Sequence, residues 1–111
     1  MVKKTIPKKV KEEIEKYVKI LKEDNLPISK VVLFGSYAKG TQKKWSDIDL
    51  CIVSPKFENG FSAMQYLWLK RKIRDVDYAI EPVGFSPADF SDKYDSLIQE
   101  IKKTGIQIKT R

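Results

Sequence analysis

The chain has no histidine and a single cysteine in 111 residues. Without histidine there is no imidazole base, no serine–histidine relay and no His-ligated zinc. One cysteine, Cys51, cannot close an internal disulfide or furnish a cysteine-rich zinc site, so a disulfide-stapled scaffold is excluded and a cytoplasmic setting is expected. No apolar run approaches the ~20 residues that a membrane helix needs. The opening "MVKKTIPKKVKEEIEK" is basic but has no apolar stretch of the kind a secretory leader carries. Internal repeats and low-complexity segments are also absent.

What is present points to one folded domain, 1–111. Hydrophobic residues make up 41% of the chain, and apolar and polar segments alternate, as in a globular protein. The length suits a single core but leaves no room for a full second, substrate-binding domain. Twenty-two basic against fifteen acidic residues give a net charge of +7. That balance serves solubility and also favours anionic partners: nucleotides, nucleic acid or an acidic protein face. No recognition helix or RNA-binding motif accompanies it, so specific nucleic-acid binding is not expected.

The order of elements follows from periodicity. Val10, Ile14, Val18 and Leu21 recur at helical spacing between lysines and glutamates, which predicts a helix over Pro7–Asp24. Lys30–Phe34 reads as a short strand, "GSYAKG" as a turn opening a short helix, and Asp47–Val53 as a second strand. Phe61–Arg74 reads as an aromatic-rich helix with Phe61, Met64, Leu67 and Trp68 as an apolar stripe. Val76–Val83 reads as a third strand whose pairing should fail near Pro82. Ser86–Lys103 reads as a last helix, with Ser86 as its N-cap and Gly105 closing it before an extended "IQIK". The expected fold is α/β (α+β): a small mixed β-sheet with helices packed mainly on one face.

The second strand carries the chemistry. Side chains alternate across a strand, so Ile48, Leu50 and Ile52 share one face while Asp47, Asp49 and Cys51 share the other. An unpartnered carboxylate in a half-buried strand is costly. Two carboxylates about 7 Å apart along one face suit a hard divalent cation such as Mg²⁺, which binds through one or two carboxylates and substrate phosphates. In the third strand Asp77, Ala79 and Glu81 share a face, which would bring Asp77 to the same site as a third carboxylate. Glu81 itself reads first as a surface ion-pair partner, Cys51 as a small core residue and Trp45 as a packing residue. At Gly35–Ser36, where the first strand ends, glycine permits close backbone approach and the hydroxyl adds a donor. Lys39 and the Lys43–Lys44 pair lie close by in sequence.

Taken together, "FGSYAKG" and "SDIDLCIV", with ten residues between Ser36 and Asp47, resemble the Gly-Ser and Asp-x-Asp signature of the DNA polymerase β-like nucleotidyltransferase superfamily. The later "VDYAIEP" resembles its third-carboxylate strand, and the resemblance covers the core region 30–83. The short length is similar to the minimal nucleotidyltransferases paired with HEPN-type helical proteins. The resemblance implies that Gly35, Ser36 and Lys39 hold the phosphates of a nucleoside triphosphate. It implies that Asp47, Asp49 and Asp77 bind two Mg²⁺ ions and carry catalysis. It further implies transfer of AMP from ATP to a hydroxyl, such as a tyrosine of a HEPN toxin, with the chain acting as antitoxin. A second chain, like or unlike, would complete the pocket. The rival expectation is a binding module that neutralises its partner by covering it, through the stripe at Phe61, Met64, Leu67 and Trp68.

Overall fold

The first helix, α1 (Lys8–Glu23), forms where the periodicity places it, because its apolar positions recur every three or four residues. The Pro7 carbonyl accepts the first helical bond from Lys11 N–H at 3.0 Å. The far end closes on Asn25, the one non-glycine residue with positive φ (62°) among the described residues. Leu26 N–H then returns to Leu21 O and Asn25 N–H to Lys22 O, which satisfies carbonyls the helix leaves free. These positions come from a computed structural model that describes residues 6–43, 46–73 and 80–109.

The remaining elements are β1 (Lys30–Phe34), α2 (Ser36–Lys39), β2 (Ile48–Val53), α3 (Gly60–Ile73), β3 (Ile80–Phe85), α4 (Pro87–Phe90), α5 (Ser96–Thr104) and β4 (Ile106–Ile108). The four strands form one mixed sheet in the order β3-β2-β1-β4. β1 pairs antiparallel with β2 and with β4, and β2 pairs parallel with β3.

Strand alternation divides the core in two. One face turns Val31, Leu33, Ile48, Leu50, Ile52 and Ile80 toward α1 and α3. The other turns Val32, Phe34, Cys51 and Val53 toward Phe90, Ile98 and Ile101 of α4 and α5. The two long helices thus cover one face, as expected, and two short ones close the other. Each fully buried Leu or Ile stabilises the fold by roughly 1.5–3 kcal/mol. Tyr17 is buried within the first cluster and donates its hydroxyl to Leu67 O at 2.7 Å, which fastens α1 to α3. Burial pushes its phenol well above the ordinary range, so it stays neutral.

Three expectations need correction. The third strand does not stop near Pro82: β3 runs through it to Phe85, with Pro82 opposite Leu50. β3 is an edge strand, so a missing N–H costs no ladder bond there, and Trp68 Nε1 donates to the Pro82 carbonyl at 3.1 Å. The first part of that expected strand, Val76–Ala79, lies outside the described residues, as does Trp45. The last helix breaks in two: Ser86 caps α4 by accepting from Asp89 N–H, and Asp95 starts α5 by accepting from Ile98 N–H. Two capping side chains nine residues apart favour two helices over one. Finally, the aromatic stripe divides. Leu67 is buried, whereas Phe61 and Met64 are 74% and 44% exposed. Among the described residues no helix is long and apolar enough to cross a membrane.

Candidate active site

β1 ends at Phe34, and its antiparallel register sets Phe34 opposite Asp49. The next residue, Gly35, has φ 73° and ψ −151°, a region that only glycine adopts readily. The chain then enters α2, a single helical turn that Gly40 terminates in the left-handed conformation. Its first N–H groups, on Ser36 and Tyr37, have no carbonyl within the helix to serve. Ala38 is buried and Tyr37 packs on the larger core, which anchors the turn.

Gly35 and Asp49 are in direct contact. A Cβ placed on Gly35 would fall 2.1 Å from Asp49 Oδ2 and 2.9 Å from its Cγ. The glycine-serine turn and the second aspartate of the pair therefore form one site, brought together by the β1–β2 register. Asp47 lies just before β2 and is exposed, whereas Asp49 is half-buried in the strand. The loop between turn and strand is closed by Lys43 N–H donating to Ser46 Oγ at 2.7 Å and by Ser46 N–H returning to Lys43 O.

The third carboxylate that the structure brings to this place is Glu81. Parallel pairing sets Asp49 opposite Glu81, so the two side chains leave the same face of adjacent strands. Asp77, the expected third member, lies outside the described residues. Glu81 has the same strand parity as Asp77. The register that sets Glu81 opposite Asp49 is not a property of local sequence. Lys39, expected near phosphate, reaches Glu100 on α5, with Nζ 3.1 Å from Oε1. Cys51 lies beyond Asp49 on the same face, is fully buried, and its thiol is pushed by burial up to about 12, so it is inert packing.

These charges perturb one another. Burial raises the Asp49 carboxyl from the ordinary carboxylate range to about 6, and the negative charges of Glu81 and Asp47 add to the rise. Among the described residues no three acidic or thiol groups are gathered into a ready-made cation cage. Asp49 and Glu81 are register partners on adjacent strands, and Asp47 lies two residues before Asp49, so negative charge collects beside the glycine turn. A hard divalent cation held by Asp47 and Asp49 would relieve that repulsion and take its further oxygens from a substrate phosphate.

A pH dependence follows. A carboxyl whose folded-state value is raised holds its proton more tightly in the folded chain than in the unfolded one. Its favourable contribution is complete below about pH 4 and is lost as the pH rises through about 6. In chelator, thermal melts of the wild type should lose stability over that window, by about 1 kcal/mol once solvent screening of a half-open carboxylate is allowed for. The difference between wild type and Asp49→Asn should vanish below pH 4. A difference that stayed constant across the range would contradict the assignment.

Comparison with known proteins bears on the family and the fold. The family model described as "Nucleotidyltransferase domain" matches residues 14–108. A protein of Methanocaldococcus jannaschii named "Putative protein adenylyltransferase MJ1215" is 39% identical over 61 residues, 52% of this chain and 70% of that protein. Among solved structures, a "putative nucleotidyltransferase" from Sulfolobus solfataricus superposes with a TM-score of 0.66 at 17% identity, over 93% of this chain and 82% of that one. A chain from the complex of a tri-AMPylated Shewanella oneidensis HEPN toxin with MNT antitoxin superposes with a TM-score of 0.53 at 21% identity, over 88% of this chain and 70% of that one. The structural matches establish the fold, and the family model spans the sheet, the glycine-serine turn, Asp47 and Asp49. The chain belongs to the nucleotidyltransferase domain family.

Proposed function

We propose that the chain transfers AMP from ATP to a hydroxyl of a protein acceptor and releases pyrophosphate. The observation that carries this reading is the contact between the Gly35 backbone and Asp49 Oδ2, with Glu81 registered beside it. Gly35 and Ser36 would take the β- and γ-phosphates, with N–H groups and a hydroxyl aimed at negative oxygens. Asp47 and Asp49 would hold Mg²⁺, two ions in the full assembly. Bound Mg²⁺ would neutralise charge on the triphosphate and on the attacking oxygen. In the transfer, the acceptor oxygen bonds to the α-phosphorus while the bond from that phosphorus to the leaving pyrophosphate breaks. The acceptor proton passes to a carboxylate of the site, and Glu81, opposite Asp49 in the register, is the proposed acceptor of it.

This gives Glu81 the role that sequence alone gave to Asp77. Glu81→Gln should lower kcat about 100-fold or more with little change in nucleotide affinity. If Asp77→Asn does so and Glu81→Gln does not, the third carboxylate is Asp77.

The relative from M. jannaschii is named for protein adenylylation, and the Shewanella complex contains an AMPylated HEPN toxin. These support a protein acceptor; in the proposed reading it is a tyrosine of a HEPN-type helical partner that the chain silences. A second reading rests on α3: Phe61 and Met64 stand open on a helix whose other side is buried, a surface suited to binding a partner. One experiment separates the two. The chain is incubated with α-phosphate-labelled ATP, Mg²⁺ and a HEPN-type partner, and toxicity is followed in parallel. Label on the partner, and protection lost in Asp47→Asn/Asp49→Asn, supports transfer. Protection that survives the double substitution but not Phe61→Ser supports binding alone.

A further inference from the structure

Lys39 and Glu100 are 61 positions apart, yet their side chains meet at 3.1 Å. Lys39 closes the single turn of α2, and Ser36 opens it. Residues three apart on a helix share a face, so the Lys39 side chain leaves the same face of the turn as that of Ser36. Glu100 rides on α5, which is fixed against the sheet by buried Ile98 and Ile101. A rigid element therefore presents a carboxylate to the cation nearest the glycine-serine turn in sequence.

That arrangement is unfavourable for an anion-binding surface. Asp47, Asp49 and Glu81 already make the site negative, and Glu100 neutralises the positive charge that ends the turn after Gly35–Ser36. The pair is also weakly held. The two side chains are 41% and 48% exposed, and ion pairs in such a medium are readily exchanged for a better partner. A triphosphate carries several negative charges and would outcompete one carboxylate for the ammonium.

We propose that Glu100 is an internal competitor of the nucleotide. It occupies Lys39 while the site is free and yields it to the triphosphate on binding. This sets the affinity of the site below what its cation alone would give. The inference rests on the reading that the site takes a nucleoside triphosphate.

Calorimetric titration of the full chain with AMP-PNP and Mg²⁺ tests it, using wild type, Glu100→Gln, Lys39→Met and the double variant. Glu100→Gln should lower Kd about two- to fivefold, the size expected from breaking an exposed pair. Lys39→Met should raise Kd, and adding Glu100→Gln to it should change nothing further. Wild-type binding with no gain in Glu100→Gln overturns the competition alone. An equal gain with and without Lys39 does the same, because it marks a general charge effect. Failure of the wild type to bind AMP-PNP overturns the nucleotide reading, and the competition with it.

Discussion

Asp49→Asn will abolish transfer while making the metal-free protein more stable. Asparagine keeps the shape of the side chain and its fit against Gly35, but removes the charge that burial, Glu81 and Asp47 all disfavour. Loss of a group that must balance charge on the reacting phosphate should cost about 1000-fold or more in turnover. Removing a half-buried, repelled carboxylate should add about 1 kcal/mol in chelator near pH 7, a rise of roughly 4 °C in Tm. The opposite signs are diagnostic. A structural carboxylate would lose stability on substitution, whereas one held at a functional site under strain gains it. Melting curves in chelator together with single-turnover transfer measure both. A variant that is inactive because it is less stable would argue against the assigned role.

Gly35→Ala should damage both stability and transfer. The new Cβ would sit 2.1 Å from Asp49 Oδ2, and the backbone at φ 73° and ψ −151° is hostile to any side chain. Backbone strain of about 1–3 kcal/mol and overpacking of similar size together give roughly 2–6 kcal/mol of destabilisation. Relief by moving Asp49 would dismantle the site, so activity falls on either route. Gly40→Ala is the matched control. Gly40 also has positive φ, 77°, but a Cβ there meets nothing within 4 Å. Its cost should be the backbone preference alone, about 1 kcal/mol, with transfer retained. Equal losses at the two glycines, read from denaturant melts, would show that the contact with Asp49 is not what matters.

Much of this architecture was legible in the residues. Periodicity located α1, β1 and β2 to within a residue or two, because each has a single period with clear end signals. The glycine-serine turn and the Asp47/Asp49 pair could be read because spacing and strand alternation are local properties. Three features could not. The end of β3 depends on Pro82 lying on an edge strand, which is a fact of sheet order. The division of the last helix rests on Asp95 acting as a cap where a helix interior was expected. The positions of Glu81 beside Asp49 and of Glu100 beside Lys39 depend on strand register and on a contact across 61 positions, both properties of the assembled fold. For β3, Glu81 and Glu100 tertiary placement decided what local pattern left open.

The central claim is that the Gly35–Ser36 turn and the carboxylates of Asp47 and Asp49 form one metal-dependent nucleotide site. The most direct test is calorimetric titration of the full chain with AMP-PNP, with Mg²⁺ and with chelator, in wild type and in Asp47→Asn/Asp49→Asn. Binding by the wild type that needs Mg²⁺ and disappears in the double variant is the predicted result. Binding of equal strength in chelator, or unchanged in the double variant, would contradict it.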